Sequence, residues 1–279
     1  MATVKATLVY DTYVSDAHKS TTYENATYAS LGKTYRIGVQ QYNIPKLDDI
    51  VLNSAKLRLY VSESISGAKV TAALYDQNQK FSGLTYNDWI PVMDRKILDA
   101  EGSFTFTRGS SSYDEWIEID IANLILGNIG KQNFTLGITT NKPTFTIIET
   151  SRNTHPPEIV IDYQNATPFV PTIIYPDGEV LENAGTVRFQ WRHNTSGGSA
   201  QSKFELGWKM QSESSWHTVT QSTAQQYYDI NASNFQNGIV EWRVRTFNTK
   251  GLASDYATAQ FFVVGKPGNP SIASIKNDA

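Results

Sequence analysis

Apolar and polar residues exchange places at nearly every position through much of this chain. Leu57, Leu59 and Val61 alternate with Lys56, Arg58 and Tyr60. Val70, Ala72 and Leu74 alternate with Thr71, Ala73 and Tyr75, and Ile117, Ile119 and Ile121 with Glu118 and Asp120. A period of two is the mark of a strand with one buried and one wet face. Phe134-Thr-Leu-Gly-Ile138, Phe145-Thr-Ile-Ile148 and Ile159-Val-Ile-Asp-Tyr163 extend the series of short strands. Chain breakers stand between them at Ser66-Gly67, Glu101-Gly102, Gly109-Ser-Ser-Ser112, Asn141-Lys-Pro143 and His155-Pro-Pro157. One helical turn is expected after Asp120, with Leu124-Ile125-Leu126 inside it and Gly127 ending it. Many short strands joined by turns predict a β-sandwich or jelly roll over residues 1–165.

The same alternation returns after a polar, proline-bearing stretch, Gln164-Asn-Ala-Thr-Pro-Phe-Val-Pro171, which has linker character. Val187, Phe189 and Trp191 alternate with Arg188, Gln190 and Arg192. Phe204, Leu206 and Trp208 alternate with Glu205, Gly207 and Lys209, and Val240, Trp242, Val244 and Thr246 with Glu241, Arg243 and Arg245. Inward aromatics on three strands within about a hundred residues suit a seven-stranded sandwich over 166–264. By phase Trp191, Trp208 and Trp242 belong to its core, whereas Trp216 is not placed. Residues 265–279 read as a hinge and the opening strand of a further module, with a frayed terminus as the alternative.

Composition agrees with this picture and removes several functions. At 279 residues the chain suffices for two cores. It has no cysteine, which removes disulfides, cysteine-ligated metals and thiol chemistry. Net charge is −3, and residues 1–165 carry 15 basic and 18 acidic groups against 9 of each in 166–279. Neither half has the basic field of a nucleic-acid binder. No segment reaches the ~20 apolar residues of a membrane-spanning helix, and the N-terminal ten residues lack the apolar run of a secretory signal. Synthesis in the cytoplasm without Sec export is therefore expected, with action on a virion, cell surface or outside the cell.

Catalytic constellations are wanting. His18, His155, His193 and His217 show no metal-ligand spacing. Glu118 and Asp120, two apart on one strand, can span the separation glycosidases use, but wet positions of an amphipathic strand explain them more simply. Asp11, Asp16 and Glu24 are conceivable calcium ligands; solvated loop acids are the simpler reading, and neither metal nor other cofactor is expected. The chain is read as no enzyme.

The order of the first set of pieces resembles the DNRLRE carbohydrate-binding family. The resemblance runs through Asp11-Thr-Tyr-Val14, Ile44-Pro45, Ser54-Ala-Lys-Leu-Arg-Leu-Tyr-Val61, Leu84-Thr-Tyr-Asn-Asp-Trp-Ile-Pro91, Trp116 to Ile121, Phe134 to Ile138, and Pro156 to Tyr163. Gly38-Val39, where the family usually has a basic residue and Phe, and Ala122, where it often has Thr, depart from the pattern. The second set resembles fibronectin type III, through Pro176-Asp-Gly178, Trp191, Trp242-Arg-Val-Arg-Thr-Phe-Asn-Thr-Lys-Gly251 and Ser254-Asp-Tyr256 before Gln260-Phe-Phe-Val-Val264. These resemblances imply an all-β chain, a jelly-roll module followed by an immunoglobulin-like sandwich. They imply a non-catalytic protein that binds a polysaccharide or cell-surface glycan.

A sugar needs aromatic planes for its apolar ring face and planar or ionic donors for its polar groups. If Ile37 and Val39 face inward, Arg36 and Gln40 face out, and by the same phase so do Lys56, Arg58, Tyr60 and Tyr75. Arg36, Lys56, Arg58, Tyr60 and Tyr75 are thus the expected binding face, suited to an acidic glycan. Ordinary exposed sheet residues are the competing explanation, and core or loop packing competes with a platform role for Trp89 and Trp116. Function divides three ways: a glycan-binding adhesion protein, including a phage tail, fibre or capsid-decoration component; a structural building block with homo-oligomeric or virion partners; or an accessory region of a secreted polysaccharide-degrading enzyme.

Overall fold

The computed structural model describes residues 1–33, 36–77, 79–107, 113–142 and 146–265. It divides into two units between Gln164 and Asn165. The expected breakers at 109–112, Pro143, the start of the strand at Phe145, and the further module after Gly265 lie outside the described residues.

In the first unit the strands are β1 (Ala2–Lys5), β2 (Thr7–Ser15), β3 (Tyr28–Leu31), β4 (Arg36–Asn43), β5 (Ile50–Glu63), β6 (Lys69–Tyr75), β7 (Lys96–Thr105), β8 (Glu115–Asp120), β9 (Phe134–Thr140), β10 (Thr146–Glu149) and β11 (Glu158–Asn165). Two short helices, α1 (Tyr86–Met93) and α2 (Ala122–Leu126), interrupt them. One sheet runs β1-β11-β5-β10-β3, with β8 also paired to β5; the other runs β2-β4-β9-β6-β7. This is a jelly-roll sandwich. Leu57, Leu59, Ile117, Ile119, Ile159 and Ile161 of the first sheet meet Val70, Ala72, Leu74, Phe134, Leu136 and Ile138 of the second in one dry core. The expected turn after Asp120 is α2: the Asp120 carboxylate accepts the Ala122 N–H at 2.9 Å, and Gly127 follows the last turn.

The second sheet is covered on its outer side as well. Ile37, Val39, Ala73 and Tyr75 pack there against Phe81, Leu84, Trp89 and Val92 of α1 and the chain leading into it. The helix starts with a capping box. Thr85 Oγ1 accepts the Asp88 N–H at 3.3 Å, and Asp88 Oδ2 accepts the Thr85 N–H at 3.0 Å and hydroxyl at 2.6 Å. Those bonds hold the Asp88 carboxyl below the usual aspartate range, the hydroxyl bond first. Its folded pKa being depressed, the stabilisation is present above the unfolded aspartate pKa and lost as pH falls through the folded one. Asp88→Ala is expected to cost about 1 kcal/mol in urea unfolding at pH 7, with the gap from wild type narrowing in acid.

The second unit has β12 (Phe169–Tyr175), β13 (Val180–Glu182), β14 (Thr186–Asn194), β15 (Lys203–Met210), β16 (His217–Gln221), β17 (Tyr227–Asn231), β18 (Gly238–Phe247) and β19 (Ala257–Val264). A three-stranded sheet, β12-β14-β17, faces a five-stranded one, β13-β19-β18-β15-β16. Pairing is antiparallel except for β13 beside β19. This is the immunoglobulin-like, fibronectin type III arrangement. Trp191 and Trp242 are fully enclosed with Phe189, Phe204 and Phe261. Their indole N–H groups donate to Gln201 Oε1 at 2.9 Å and to the Pro176 carbonyl at 2.8 Å, so neither buried donor is wasted. Trp208, expected in the core, is only partly buried at its edge, stacked on His217.

Candidate functional site

The five residues expected to share one face do not do so. Lys56, Arg58 and Tyr60 lie on the solvent side of β5, as the alternation requires. Tyr75 has the expected phase but stands on the other sheet, where α1 covers it; its ring is 4.9 Å from Trp89 and 7% exposed. Burial pushes its phenol pKa up. Arg36 is misplaced for a different reason. Ile37 and Val39 face the layer under α1, so Gln40 and Tyr42 point between the sheets, where the Tyr42 hydroxyl donates to Gln40 Oε1 at 2.9 Å. Arg36, in phase with them, sits at the end of β4 and donates to Ser30 Oγ at 3.0 Å. A strand buried on both faces carries no wet phase, which is why alternation misassigned it.

What surrounds Lys56, Arg58 and Tyr60 comes from three other strands and a loop. Antiparallel pairing sets Tyr60 opposite Trp116, Arg58 opposite Glu118 and Lys56 opposite Asp120. The Arg58 guanidinium carbon lies 4.6 Å from the Trp116 ring centroid. His155, in the loop before β11, stacks on Tyr60 at 3.9 Å and 14°, and stands edge-on to Trp116 at 5.9 Å. Tyr60 and Trp116 meet edge to face at 5.6 Å. The loop is pinned from below by Glu149, almost buried, whose carboxylate accepts the His155 N–H at 2.9 Å and lies 3.0 Å from His155 Nδ1. Partial burial, then the nearby Asp114 and Glu149 charges, raise the Tyr60 pKa, so it is a neutral hydroxyl at pH 7.

The cations of this face are matched. Lys56 pairs with Glu118 at 2.5 Å, Arg58 with Glu118 at 3.4 Å and Glu158 at 3.1 Å, and Lys5 with Glu158 at 2.7 Å. Asp162 accepts the hydroxyls of Thr3 at 2.5 Å and Ser54 at 3.0 Å, which lower its pKa. The expected basic face is therefore a three-ring aromatic cluster beside a lattice of ion pairs. Sequence reasoning left Trp116 undecided and did not bring in His155; Tyr60 and Trp116 share a register only once β5 and β8 are paired.

Other candidates find different employment. Glu118 is held by two cations and Asp120 by the start of α2. Asp11 accepts the Ser151 N–H at 2.6 Å and the Ser151 hydroxyl, and Glu24 accepts the Gly83 N–H at 2.7 Å. Among the described residues no three His, Asp or Glu side chains converge on a metal position. Trp89 is core. A separate open cleft of about 740 Å³ beside α1 is lined by Asp76, Gln77, Lys80, Phe81 and Arg95, among others.

Among solved structures, a β-1,2-glucanase from Parabacteroides distasonis is 8% identical, matching 85% of this chain and 32% of its own, with a TM-score of 0.26. A two-domain fibronectin type III segment of chicken tenascin is 8% identical over 93% of this chain and 99% of its own, TM-score 0.31. Fibronectin(III)-like modules of Clostridium thermocellum CbhA are 9% identical over 86% and 92%, TM-score 0.30. Superpositions this loose carry no argument, and this chain spans about a third of the glucanase. No curated protein matches. The model of carbohydrate-binding module family 96 matches residues 2–163, more than half the chain and nearly the whole jelly roll. The chain belongs to carbohydrate-binding module family 96.

Proposed function

We propose that this protein is a non-catalytic glycan-binding protein acting at a cell or particle surface, and that it holds its sugar on the outer face of β5 and β8. The observation that carries this reading is the Trp116–Tyr60–His155 cluster. Three aromatic rings stand together on a solvent-facing sheet, braced by Arg58 and Glu149, with hydroxyls and carboxylates beside them. Aromatic planes receive the apolar face of a sugar ring, and fixed polar groups read its hydroxyls. Because Lys56 and Arg58 are already paired, the face favours a neutral sugar over an acidic one. The resemblance to DNRLRE modules and the family assignment support the same activity.

Affinity electrophoresis of the full chain against a panel of polysaccharides tests it. Retardation by at least one neutral polymer is expected. Trp116→Ala should weaken that binding by about 30-fold, the effect of removing an aromatic hot spot worth roughly 2 kcal/mol. Raising NaCl from 0.05 to 0.5 M should change it by less than about threefold, since little net charge is engaged. Unchanged binding by Trp116→Ala would remove this face from consideration.

A further inference from the structure

The outer side of β15, β18 and β19 in the second unit carries a different surface, an alternating series of cations and rings. Lys209 Nζ lies 5.3 Å from the Trp216 centroid. The Arg243 guanidinium lies 4.3 Å from Trp216 and 4.4 Å from Tyr256. Arg245 follows at 4.8 Å from Tyr256 and 5.5 Å from Phe247, and Lys203 ends the series 4.0 Å from Phe247. Gly207 makes room for it. In register with Arg243, a Cβ at this glycine would lie 3.2 Å from Arg243 Nε and 3.3 Å from Trp216 Cε3.

Stacking explains the geometry but leaves charge over. Lys209 is paired with Glu241 at 3.2 Å, and Arg245 with Glu205 at 2.7 Å. Glu205 also accepts the Tyr256 hydroxyl. Arg243 and Lys203 have no carboxylate within ion-pair distance among the described residues, and Arg243 Nε is buried with no hydrogen-bond partner there. Two of these four cations are in ion pairs, in a half of the chain that is formally neutral. A guanidinium held against two rings is pre-organised, and an anion that reaches it is bound at small entropic cost. Asp177 and Glu241 line the small cleft next to Trp216, so an anion is turned away there and towards Arg243 and Lys203. Exposed Thr218, the register partner of Gly207, adds a hydroxyl beside the series.

We infer that the second unit is itself a binding module, taking the carboxylate groups of an acidic polysaccharide on Arg243 and Lys203, at either side of the Arg245–Glu205 pair. The choice of polysaccharide over other polyanions rests on the glycan-binding reading of the first unit and on the flanking Thr218 hydroxyl.

The test uses the full chain, with polygalacturonate as the probe and dextran as its uncharged control. Binding to polygalacturonate but not dextran is expected at 0.02 M NaCl, weakening at least tenfold at 0.5 M as screening shortens. Arg243→Gln should weaken it about tenfold or more and Lys203→Gln several-fold, while Trp116→Ala leaves it unchanged. If circular dichroism shows Arg243→Gln to be unfolded, the half-buried end position, Lys203→Gln, decides. No binding by wild type, or wild-type affinity in the folded variants, overturns the inference. Loss in Trp116→Ala instead assigns the acidic sugar to the first unit. Tighter binding of single-stranded DNA of equal charge overturns the polysaccharide assignment. Failure of the neutral-sugar test with this one intact would sink only the reading of the first unit.

Discussion

Trp89→Ala is expected to cost about 3–5 kcal/mol and to lower the melting temperature of the first unit by roughly 10 °C. Trp89 is fully enclosed, 4.9 Å from the Tyr75 ring and 6.0 Å from Phe81, and fixes α1 over the outer side of the second sheet. Truncation leaves a ring-sized void that Pro91-containing α1, Tyr75 and Phe81 cannot fill. The indole N–H of Trp89 has no hydrogen-bond partner among the described residues. Trp89→Phe keeps most of the apolar volume and removes that unsatisfied donor, so it should cost less than about 2 kcal/mol. Thermal unfolding by circular dichroism distinguishes the two. Equal losses for both variants would mean that the indole N–H is satisfied and the packing argument incomplete.

Gly102→Ala should be more damaging than any other single added methyl. Gly102 lies inside β7, where the edges of the two sheets come together, and a Cβ there would lie 2.1 Å from the Asp120 carbonyl oxygen and 2.8 Å from Ile119 Cγ2. The clash is with backbone, so relief requires β7 to part from the end of β8, not a rotamer change. A loss of roughly 3 kcal/mol or more is expected, or failure to fold. Gly127→Ala is the control: nothing lies within 4 Å of its added Cβ, and its φ is −88°. Its stability should stay within about 0.5 kcal/mol of wild type in urea unfolding.

These two positions also show how far the amino-acid pattern reaches. Alternation correctly orients Lys56, Arg58 and Tyr60, because β5 has a dry side and a wet side. It fails at Arg36 and Gln40, because β4 is covered on both sides and Gln40 is a buried polar residue satisfied by Tyr42. It places Tyr75 on the correct side of its strand, yet nothing local announces that α1 returns over that side. Gly102 reads as a breaker beside Glu101, whereas its lack of a side chain serves a close backbone approach in mid-strand. Trp191 and Trp242 of the second unit are legible for the opposite reason, since they lie on strands with one clear inner side, whereas Trp208, of the same phase, ends only partly buried.

The proposed binding face was half visible. Arg58 and Tyr60 follow from periodicity, but their partners depend on register. Trp116 and Glu118 come from a strand some sixty positions on, and His155 from a loop further still. Pairing also reverses the electrostatic expectation. Side chains that look like a basic patch in isolation become ion pairs with Glu118 and Glu158, leaving the rings as the distinctive chemistry. In the second unit, Arg243 and Arg245 are ordinary wet positions by phase. Only the tertiary structure lays them against Trp216, Tyr256 and Phe247.

The central claim is that the sugar lies on the aromatic face of β5 and β8. A crystal structure of the full chain with an oligosaccharide of the tightest-binding neutral polymer tests it most directly. A sugar ring against Trp116, Tyr60 or His155, with Arg58 or Glu118 within hydrogen-bond distance of its hydroxyls, is the expected result. A sugar seated instead in the cleft beside α1, against Phe81 and Arg95, with the β5–β8 face bare, would contradict it.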